Sequence, residues 1–525
     1  MKGISTIVVA LIAILFASYT FGQTKGDFRT VTPLAGGNWY DASSWQTYDG
    51  TNWVAASNTP TGSENITVQT GDSVVCNFPV VITGHLTNFG KINDSGQLTI
   101  SKGGIYEHAY SGGSVPTATW DDSSTILFSG VTSTNPSNAN QDFYNVIWNC
   151  PNQTFNANLG WNGNTIHGDI TVISTGSGRW QMTAPSASVP SVSVTINGNI
   201  YVKGGAFSSN GTSTSNSTVV INTLGNIFVT GGNFSVSRGS QGGTGTTSWY
   251  ITGNLSMENA TTQNSNSTGA KFIFNGKSDT LTLGSGNTLT ALPIEVASGT
   301  TLNMGMSQLA GSGIFTVDSG ATLATANLAL DSCFASTMTG VVTLSSKANY
   351  TFNGAVAQAT GTRLPTTVAN LTINNPAGVV LTQATTINDT LFLMNGVFDN
   401  TIPFVQGTNF KLITEKGSLK NPITGIDEAK IQPLSFKVEQ NYPNPFNPTT
   451  TINYSLKSAG VVSIKIYNVL GREVRTLVNE QKPSGNYSVV WNGRDNSGYS
   501  LPSGTYFYRY SAGDVTQVKK MILLK

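Results

Sequence analysis

The sequence has little charge, few cysteines and few histidines. Only 10% of its 525 residues are charged, and 27 basic against 26 acidic residues give a net charge of +1. This balance provides no electrostatic basis for binding nucleic acid or an anionic membrane. The cysteines Cys76, Cys150 and Cys333 are far apart and form no CxxC pair, so they predict neither a disulfide framework nor a zinc site. We expect buried free thiols, with one extracellular disulfide as the alternative.

Candidate catalytic residues are equally sparse. Between residues 143 and 257 the only acid is Asp169, and only three residues are basic. Acid–base catalysis requires ionisable groups that converge on one point. The sequence motifs of serine hydrolases, nucleotide-binding proteins and zinc proteases do not occur either. We therefore expect no enzymatic activity, no cofactor and no metal site.

The richest ionisable cluster combines Glu107 and His108 with Asp121 and Asp122, which follow the loop AYSGGSVPTATW. If a site exists, His108 would act as a base and one of the two aspartates would bind a cation. Solvated loop charge is the alternative, and we favour it. The chain has three histidines, His85, His108 and His167. No metal-ligand spacing links them, and we expect each to be solvated in a loop or on a coil face.

The N-terminus has the pattern of a secretory signal peptide over residues 1–22. Lys2 supplies the positive start, Ile4–Phe16 the apolar run, and Thr20–Gly22 a small-residue cleavage site before Gln23. A transmembrane helix is the alternative, but the apolar run is shorter than the roughly 20 residues that a span requires. We expect an exported chain that begins at Gln23.

Residues 23–63 are rich in tryptophan. Trp39, Trp45 and Trp53 lie among Gly, Asn and Asp in GGNWYDASSWQTYDGTNW. Large aromatic side chains at this density predict a cap that covers the open end of a core. The functional alternative is a platform on which carbohydrate stacks.

The middle of the chain contains internal repeats. Four segments align on a glycine, at Gly168, Gly198, Gly225 and Gly253, with spacings of 30, 27 and 28 residues. After each glycine, apolar residues alternate with others in the pairs Ile170/Val172, Ile200/Val202, Ile227/Val229 and Leu255/Met257. The period of two predicts short strands whose apolar side chains are buried and whose intervening residues, including Tyr201 and Phe228, point outward.

Units of this size cannot bury an apolar face alone, but stacked units build a continuous core. We therefore predict an all-β protein in which residues 64–410 form a right-handed parallel β-helix, or solenoid. Two further strings, VASGTTL at Val296 and VDSGATL at Val317, repeat at 21 residues. The polar residues after the four glycines, Asp169, Asn199, Asn226 and Asn254, predict a ladder that satisfies turn backbone groups. A β-sandwich array is the structural alternative.

The pattern changes near the C-terminus. Residues 411–432 carry more charge and no sustained alternation, which favours a linker. Residues 433–525 contain short alternating runs separated by turn signals, as in an Ig-like sandwich. Its proline-rich lead-in, YPNPFNP, should be rigid and extended, with Tyr442 and Phe446 against the sandwich. Trp491 is expected in the core, and DNSG at Asp495 is expected to be a turn and not a calcium loop.

The last domain resembles the type A sorting domain of the type IX secretion system, a form related to the Ig-like domain of flagellar hook-capping proteins. The resemblance rests on VEQNYPNPFNPTTTINYSL, IYNVLGREVRTLV, WNGRDNSGYSLPSGTYFYR and the ending KKMILLK. Asn492 and Thr505 depart mildly from the common pattern. The tryptophan-rich opening and the NLTINNPAG coils are similar to those of large exported β-helix proteins that carry this domain.

The resemblance implies a partner and a destination. The domain would be recognised by the outer-membrane translocon and often removed when the cargo is attached to surface glycolipid. The motif positions are Tyr442, Pro443, Asn444, Pro445, Gly471, Trp491, Gly504, Tyr506, Lys519 and Lys520. We expect an extracellular or cell-surface solenoid that is adhesin-like or structural. The alternative is a β-helix that binds or degrades polysaccharide.

Overall fold

The computed structural model describes residues 23–94, 96–186, 188–210, 217–237, 245–263, 269–423, 435–524 and the backbone of 431–433. The predicted signal peptide lies outside these residues. The described residues are all-β, with 1% helical, and form a β-solenoid of about 15 turns followed by antiparallel sheets. Within the described ranges, no helix is long and apolar enough to span a membrane. The described part of the chain includes two short 3-10 helices, Ala42–Ser44 and Leu330–Cys333.

The chain divides into two compact units. The first comprises the described residues of 23–250 and 257–270, and the second comprises those of 251–256 and 271–524. Two strands cross this division, Thr246–Ile251 and Leu255–Met257.

The first unit is organised around one long sheet. Its successive coils pair in parallel, and an antiparallel pair of strands in the tryptophan-rich segment joins its edge. The strands are Phe28–Thr30, Trp45–Tyr48, Trp53–Ala55, Asn65–Val68, His85–Asn88, Ile105–His108, Thr125–Phe128, Asn145–Asn149, Ile170–Ser174, Ile200–Val202 and Ile227–Val229.

Shorter parallel sheets complete the coils of the first unit. The early coils contain two three-stranded sheets. The strands of one are Gly37–Asn38, Ser73–Cys76 and Lys91–Asp94, and those of the other are Val80–Ile82, Leu98–Ile100 and Ala118–Trp120. The later coils have strands Asn156–Asn158, Arg179–Gln181, Ala206–Ser208, Asn233–Ser235 and Thr261–Thr262 on one side, and Asn164–Ile166, Ser191–Ile196 and Thr218–Thr223 on another.

The predicted repeat alignment is confirmed. Ile170 pairs with Ile200 in register, and Ile200 pairs with Ile227. Both Ile200 and Ile227 are buried, as are Val202 and Val229 one alternation later. Tyr201 and Phe228 point outward and stack, with ring centroids 5.3 Å apart and planes inclined by 14°.

The repeated glycines are required by the close approach of neighbouring coils. A Cβ on Gly198 would lie 2.3 Å from the carbonyl oxygen of Gly168, and a Cβ on Gly225 would lie 2.3 Å from that of Gly198. Each glycine therefore provides space for the backbone of the coil before it.

The polar ladder is also present. The backbone N–H of Asn199 donates to Oδ1 of Asp169 at 2.7 Å, and that of Asn226 donates to Oδ1 of Asn199 at 2.9 Å. The ladder begins one coil earlier than predicted, since the N–H of Asp169 donates to Oδ1 of Asn145 at 2.9 Å. Asn254, in the second unit, accepts from the N–H of Thr280 at 2.8 Å.

Buried aromatic side chains fill the interior of the first unit. Trp148 and Trp180 are fully buried and stack with centroids 4.9 Å apart and planes 6° from parallel.

The prediction of buried free thiols is confirmed for Cys76, Cys150 and Cys333. Burial raises the pKa of Cys76 and Cys150 to about 12, which keeps both thiols protonated and unreactive.

The second unit contains further parallel coils. Val296 pairs with Val317 and Thr301 pairs with Thr322, as the 21-residue repeat predicts. Its solenoid strands are Lys271–Phe274, Ser278–Leu283, Thr288–Leu289, Ile294–Val296, Thr301–Asn303, Leu309–Gly311, Phe315–Val317, Thr322–Thr325, Phe334–Met338, Val342–Leu344, Asn349–Phe352, Gln358–Ala359, Thr367–Asn374, Val379–Val380, Thr386–Asp399, Val405–Gln406, Lys411–Leu419 and Ile431–Pro433.

The predicted linker at 411–432 is wrong over most of its described part. Lys411–Leu419 is a strand that pairs in parallel with Thr386–Asp399, and Ile431–Pro433 pairs with residues 412–414. Leu412 is buried, whereas the charged residues at 411, 415 and 416 lie on or near the solvent side. The higher charge reflects a strand with one solvated face, so composition alone misplaced the end of the solenoid. Residues 424–430 lie outside the described part.

The C-terminal domain is a two-sheet antiparallel sandwich, as the Ig-like prediction requires. One sheet contains Lys437–Val438, Thr450–Leu456 and Gly485–Trp491, and the other contains Glu473–Lys482, Gly460–Tyr467, Gly504–Ala512 and Val515–Leu523. Alternate residues of both sheets form one core, among them Ile452, Ile464, Trp491, Tyr508 and Leu523.

Candidate functional site

The proline-rich lead-in and the last strand form one structure in the C-terminal domain. The Asn444 side chain accepts from the N–H of Ile522 at 2.9 Å and donates to the carbonyl oxygen of Lys520 at 3.4 Å. The N–H of Phe446 donates to the carbonyl oxygen of Ile522 at 3.0 Å. Gln440 Nε2 donates to the same Lys520 carbonyl at 2.8 Å. Two motifs that are far apart in sequence are therefore joined in space.

A buried tyrosine fixes the start of the lead-in. The N–H of Asn441 donates to the Tyr508 hydroxyl at 3.0 Å, and that hydroxyl donates to the carbonyl oxygen of Glu439 at 2.6 Å. Asn441 also donates to Thr450 Oγ1 at 2.9 Å. Because these groups are buried and paired, the lead-in has a defined position on the sandwich.

The remaining motif positions have distinct structural roles. Trp491 is buried and its Nε1 donates to the carbonyl oxygen of Arg494 at 3.0 Å. Tyr506 is buried and its hydroxyl donates to the carbonyl oxygen of Pro502 at 2.9 Å. Gly471 has φ of +73°, which suits the turn between two strands. Three further positions lie on the solvent side or in extended backbone, Gly504, Lys519 and Lys520.

Tyr442 does not pack against the sandwich as predicted. Its side chain is 81% exposed, whereas that of Phe446 is 2% exposed and contacts Trp491. The backbone of Tyr442 is bonded in both directions to Thr451, which fixes the chain and turns the ring toward solvent. Neighbouring Pro443 and Pro445 complete this exposed segment.

The DNSG segment is a turn. Asp495 Oδ1 accepts from the N–H groups of Ser497 and Tyr499, each at 2.9 Å. Among the described residues, no cluster of three or more His, Cys, Asp or Glu side chains could hold a metal ion.

The structure does not bring the predicted ionisable cluster together. Glu107 and His108 are neighbours on one strand, so their side chains point to opposite faces of the sheet. His108 is buried in the interior, where its ring lies 4.4 Å from that of Tyr110 and its Nε2 is 2.8 Å from the carbonyl oxygen of Gly112. Burial lowers the pKa of His108 to about 4. A solvated His108 was therefore a wrong prediction, and Asp121 and Asp122 remain in a surface turn.

On the outer face of this strand, Glu107 pairs with His85 of the neighbouring strand. Nε2 of His85 is 2.8 Å from Oε2 of Glu107, although His85 is only 5% exposed. The prediction of a solvated His85 is thus wrong, whereas His167 is exposed as expected. Glu107 also accepts from Ser129 at 2.6 Å and from Thr87 at 3.2 Å. Although burial opposes ionisation, these bonds hold the pKa of Glu107 below its usual value.

The sequence contains a signal that could have revealed this pair. In the structure, Asn65, His85, Ile105, Thr125 and Asn145 lie side by side on five successive coils. They are evenly spaced at 20 residues in the sequence. The predicted repeats were aligned on glycines, and only two of these five coils have a glycine directly before the paired residue, Gly84 and Gly104, so this shorter period was missed.

The tryptophan-rich segment is mainly structural. Trp39 and Trp45 are fully buried and contact each other edge to face at 5.1 Å. Trp45 Nε1 donates to the carbonyl oxygen of Trp39 at 2.9 Å. Trp53 is half-buried, with the Arg29 guanidinium 4.4 Å from its ring centroid. Only Trp53 is therefore placed where a carbohydrate could contact it.

Comparison with known proteins identifies the last domain. Residues 447–514 match the family model of the FlgD Ig-like domain. No curated protein matches the chain. Among solved structures, dimeric latent PorU from Porphyromonas gingivalis is similar at 20% identity over 19% of this chain and 10% of that chain, with a TM-score of 0.15. A TM-score this low does not establish a shared fold. The chain is thus a β-solenoid protein with a C-terminal FlgD-type Ig-like domain.

Proposed function

We propose that the protein is a cargo of the type IX secretion system and acts at the cell surface or outside the cell as an adhesin-like or structural solenoid. The observation that carries this proposal is the joining of the lead-in to the last strand by Asn444, Phe446 and Gln440. These segments lie outside the matched residues 447–514. They extend the Ig-like domain with the motifs that the resemblance to sorting domains contains.

The proposed partner is the outer-membrane translocon, followed by attachment to surface glycolipid. The lead-in offers a rigid surface on which Tyr442 is exposed and the backbone is fixed. A preorganised, exposed segment binds a partner with little loss of conformational entropy. The N-terminal signal peptide would direct only the first step, across the inner membrane.

The solenoid is proposed to act without catalysis. Glu107 and His108 are on opposite faces of their strand, and Glu107 is already bonded to three side chains. A His108→Ala, Asp121→Ala double variant should consequently behave as the parent protein in assays of polysaccharide cleavage. Cleavage by the folded parent protein would contradict this proposal, and its loss in a folded double variant would place the site at His108 and Asp121.

Export can be tested in the native host by deleting residues 433–525. We expect the truncated chain to remain in the periplasm and the full chain to reach the surface, measured by protease accessibility on intact cells. The matched control joins residues 433–525 to a periplasmic reporter protein, which should then appear outside the cell. Unchanged surface delivery of the truncated chain would contradict the proposal.

A further inference from the structure

A cavity of about 460 Å³ opens on the outer face of the long sheet, next to the tryptophan-rich segment. Its floor is a row of outward side chains on adjacent strands, with Arg29 beside Thr67, Thr67 beside Thr87 and Thr87 beside Glu107. The alternate side chains of these strands, such as Ile66, are buried in the core. The cavity therefore has a rigid sheet as its base.

Two carboxylates border the cavity, a half-buried one on Glu107 and a buried one on Asp27. Glu107 accepts from His85, Thr87 and Ser129, as described above. Asp27, which is 7% exposed, accepts at Oδ1 from Thr24 Oγ1 at 2.8 Å and from Asn65 Nδ2 at 3.1 Å, and at Oδ2 from the N–H of Thr24 at 2.8 Å. A carboxylate has about four acceptor positions. Each of these two therefore has capacity for one more donor.

A cation and two aromatic rings complete the lining. Nε of Arg29 donates to Gln46 Oε1 at 2.8 Å, while its terminal nitrogens donate to no acceptor among the described residues. Trp53 contributes the ring beside Arg29. Phe89, which is 40% exposed, contributes a second apolar surface.

We infer that this cavity binds a neutral sugar residue of a polysaccharide. A sugar hydroxyl both donates and accepts, so it can satisfy the carboxylates of Asp27 and Glu107 and the guanidinium of Arg29 together. The apolar C–H face of a sugar packs on an exposed aromatic ring such as that of Phe89. Two carboxylates against one guanidinium disfavour an anionic ligand. This binding role is independent of the proposed export route.

The test uses the purified full mature chain in affinity gel electrophoresis. The gels contain xylan, mannan, dextran or β-glucan as neutral polysaccharides, and alginate as an acidic one. Thr67→Trp places a large side chain in the cavity, and Thr171→Trp makes the same change in the same outward row of the sheet, outside the cavity. Phe89→Ala removes an apolar surface of the cavity, and Phe78→Ala removes an exposed ring elsewhere.

We expect retardation by at least one neutral polysaccharide. Thr67→Trp should weaken that binding at least about tenfold and Phe89→Ala by a smaller factor, while Thr171→Trp and Phe78→Ala leave it unchanged. Circular dichroism and thermal melting must show that each variant is folded. Binding that survives Thr67→Trp, retardation by alginate alone, or no retardation by any of the five polysaccharides would overturn the inference.

Discussion

The solenoid and the C-terminal sandwich hold their chains together over different distances. In the solenoid, Asn226 is bonded to Asn199, 27 residues earlier in the chain. In the sandwich, Gln440 is bonded to Lys520, 80 residues later. A solenoid therefore distributes its stability over contacts between adjacent coils, whereas the sandwich depends on one core to which all its strands contribute. A destabilising substitution should therefore affect only the adjacent coils of the solenoid, whereas in the sandwich it should destabilise the whole domain.

The largest expected effect comes from Trp491→Ala. The ring is buried and contacts Phe446 and Tyr506 at centroid distances of 5.5 and 5.4 Å. Its loss should lower the free energy of unfolding of the sandwich by about 3–5 kcal/mol. Calorimetry of the full chain should show the sandwich transition move down or vanish while the solenoid transition stays in place.

The matched change in the solenoid is Trp180→Ala. This ring is fully buried and stacks on Trp148, so its removal should destabilise the solenoid by a similar amount. Hydrogen exchange should increase in the adjacent coils first, with the sandwich unaffected. A uniform increase over both regions would contradict the proposed difference in cooperativity.

A smaller effect, with a defined pH dependence, is expected for Asp279. Its side chain is 1% exposed, and burial raises its pKa to about 6 despite a 2.9 Å bond from the N–H of Gly276. The folded state thus favours the protonated acid. The stabilisation that comes from protonated Asp279 is therefore fully present below the ordinary carboxyl pKa, near 4. It is lost as the pH rises through 6, the pKa in the folded state.

Asp279→Asn should therefore stabilise the solenoid at pH 7, by about 2–3 kcal/mol, and remove its loss of stability between pH 4 and 6. Denaturant unfolding at a series of pH values measures this. The pKa of Asp399 is shifted in the opposite direction. Bonds from Lys420 and Thr401 lower this pKa to about 2. Asp399→Asn should remove stability that is present at neutral pH and lost only as the pH falls toward 2. If the free energy of unfolding depended on pH in the same way in the two variants, the opposite pKa shifts assigned to Asp279 and Asp399 would be refuted.

The close approach of coils can be tested with Gly198→Ala. The added Cβ would lie 2.3 Å from a carbonyl oxygen of the preceding coil, and we expect a loss of about 1–3 kcal/mol in thermal or denaturant unfolding. Gly460 in the sandwich has no atom within 4 Å of an added Cβ. Gly460→Ala should be neutral or stabilising by up to about 1 kcal/mol. If the two variants lost equal stability, the close approach of neighbouring coils would not be the reason for the loss in Gly198→Ala.

Sequence periodicity predicted the solenoid well where coils repeat the same residues. The positions of Ile200 and Tyr201 follow from alternation alone, because side chains on a strand alternate between two faces. The pair of His85 and Glu107 could not be derived in this way. It depends on which coil stacks on which, and therefore on loop lengths between strands that the glycine alignment did not determine. The end of the solenoid was misplaced for a related reason, since Lys411–Leu419 has a charged outer face.

The smallest expected effect concerns Asn444, whose side chain joins the lead-in to the last strand. Because Asn444 is exposed, Asn444→Ala should lower the stability of the sandwich by only about 0.5–1.5 kcal/mol. Its control is Asn486→Ala, at an exposed position in the middle of the same domain. If the translocon recognises the lead-in in its fixed position, Asn444→Ala should reduce surface delivery in the native host more than the control does, even at equal thermal stability. Delivery that follows stability alone in both variants would mean that the join serves only to hold the sandwich together.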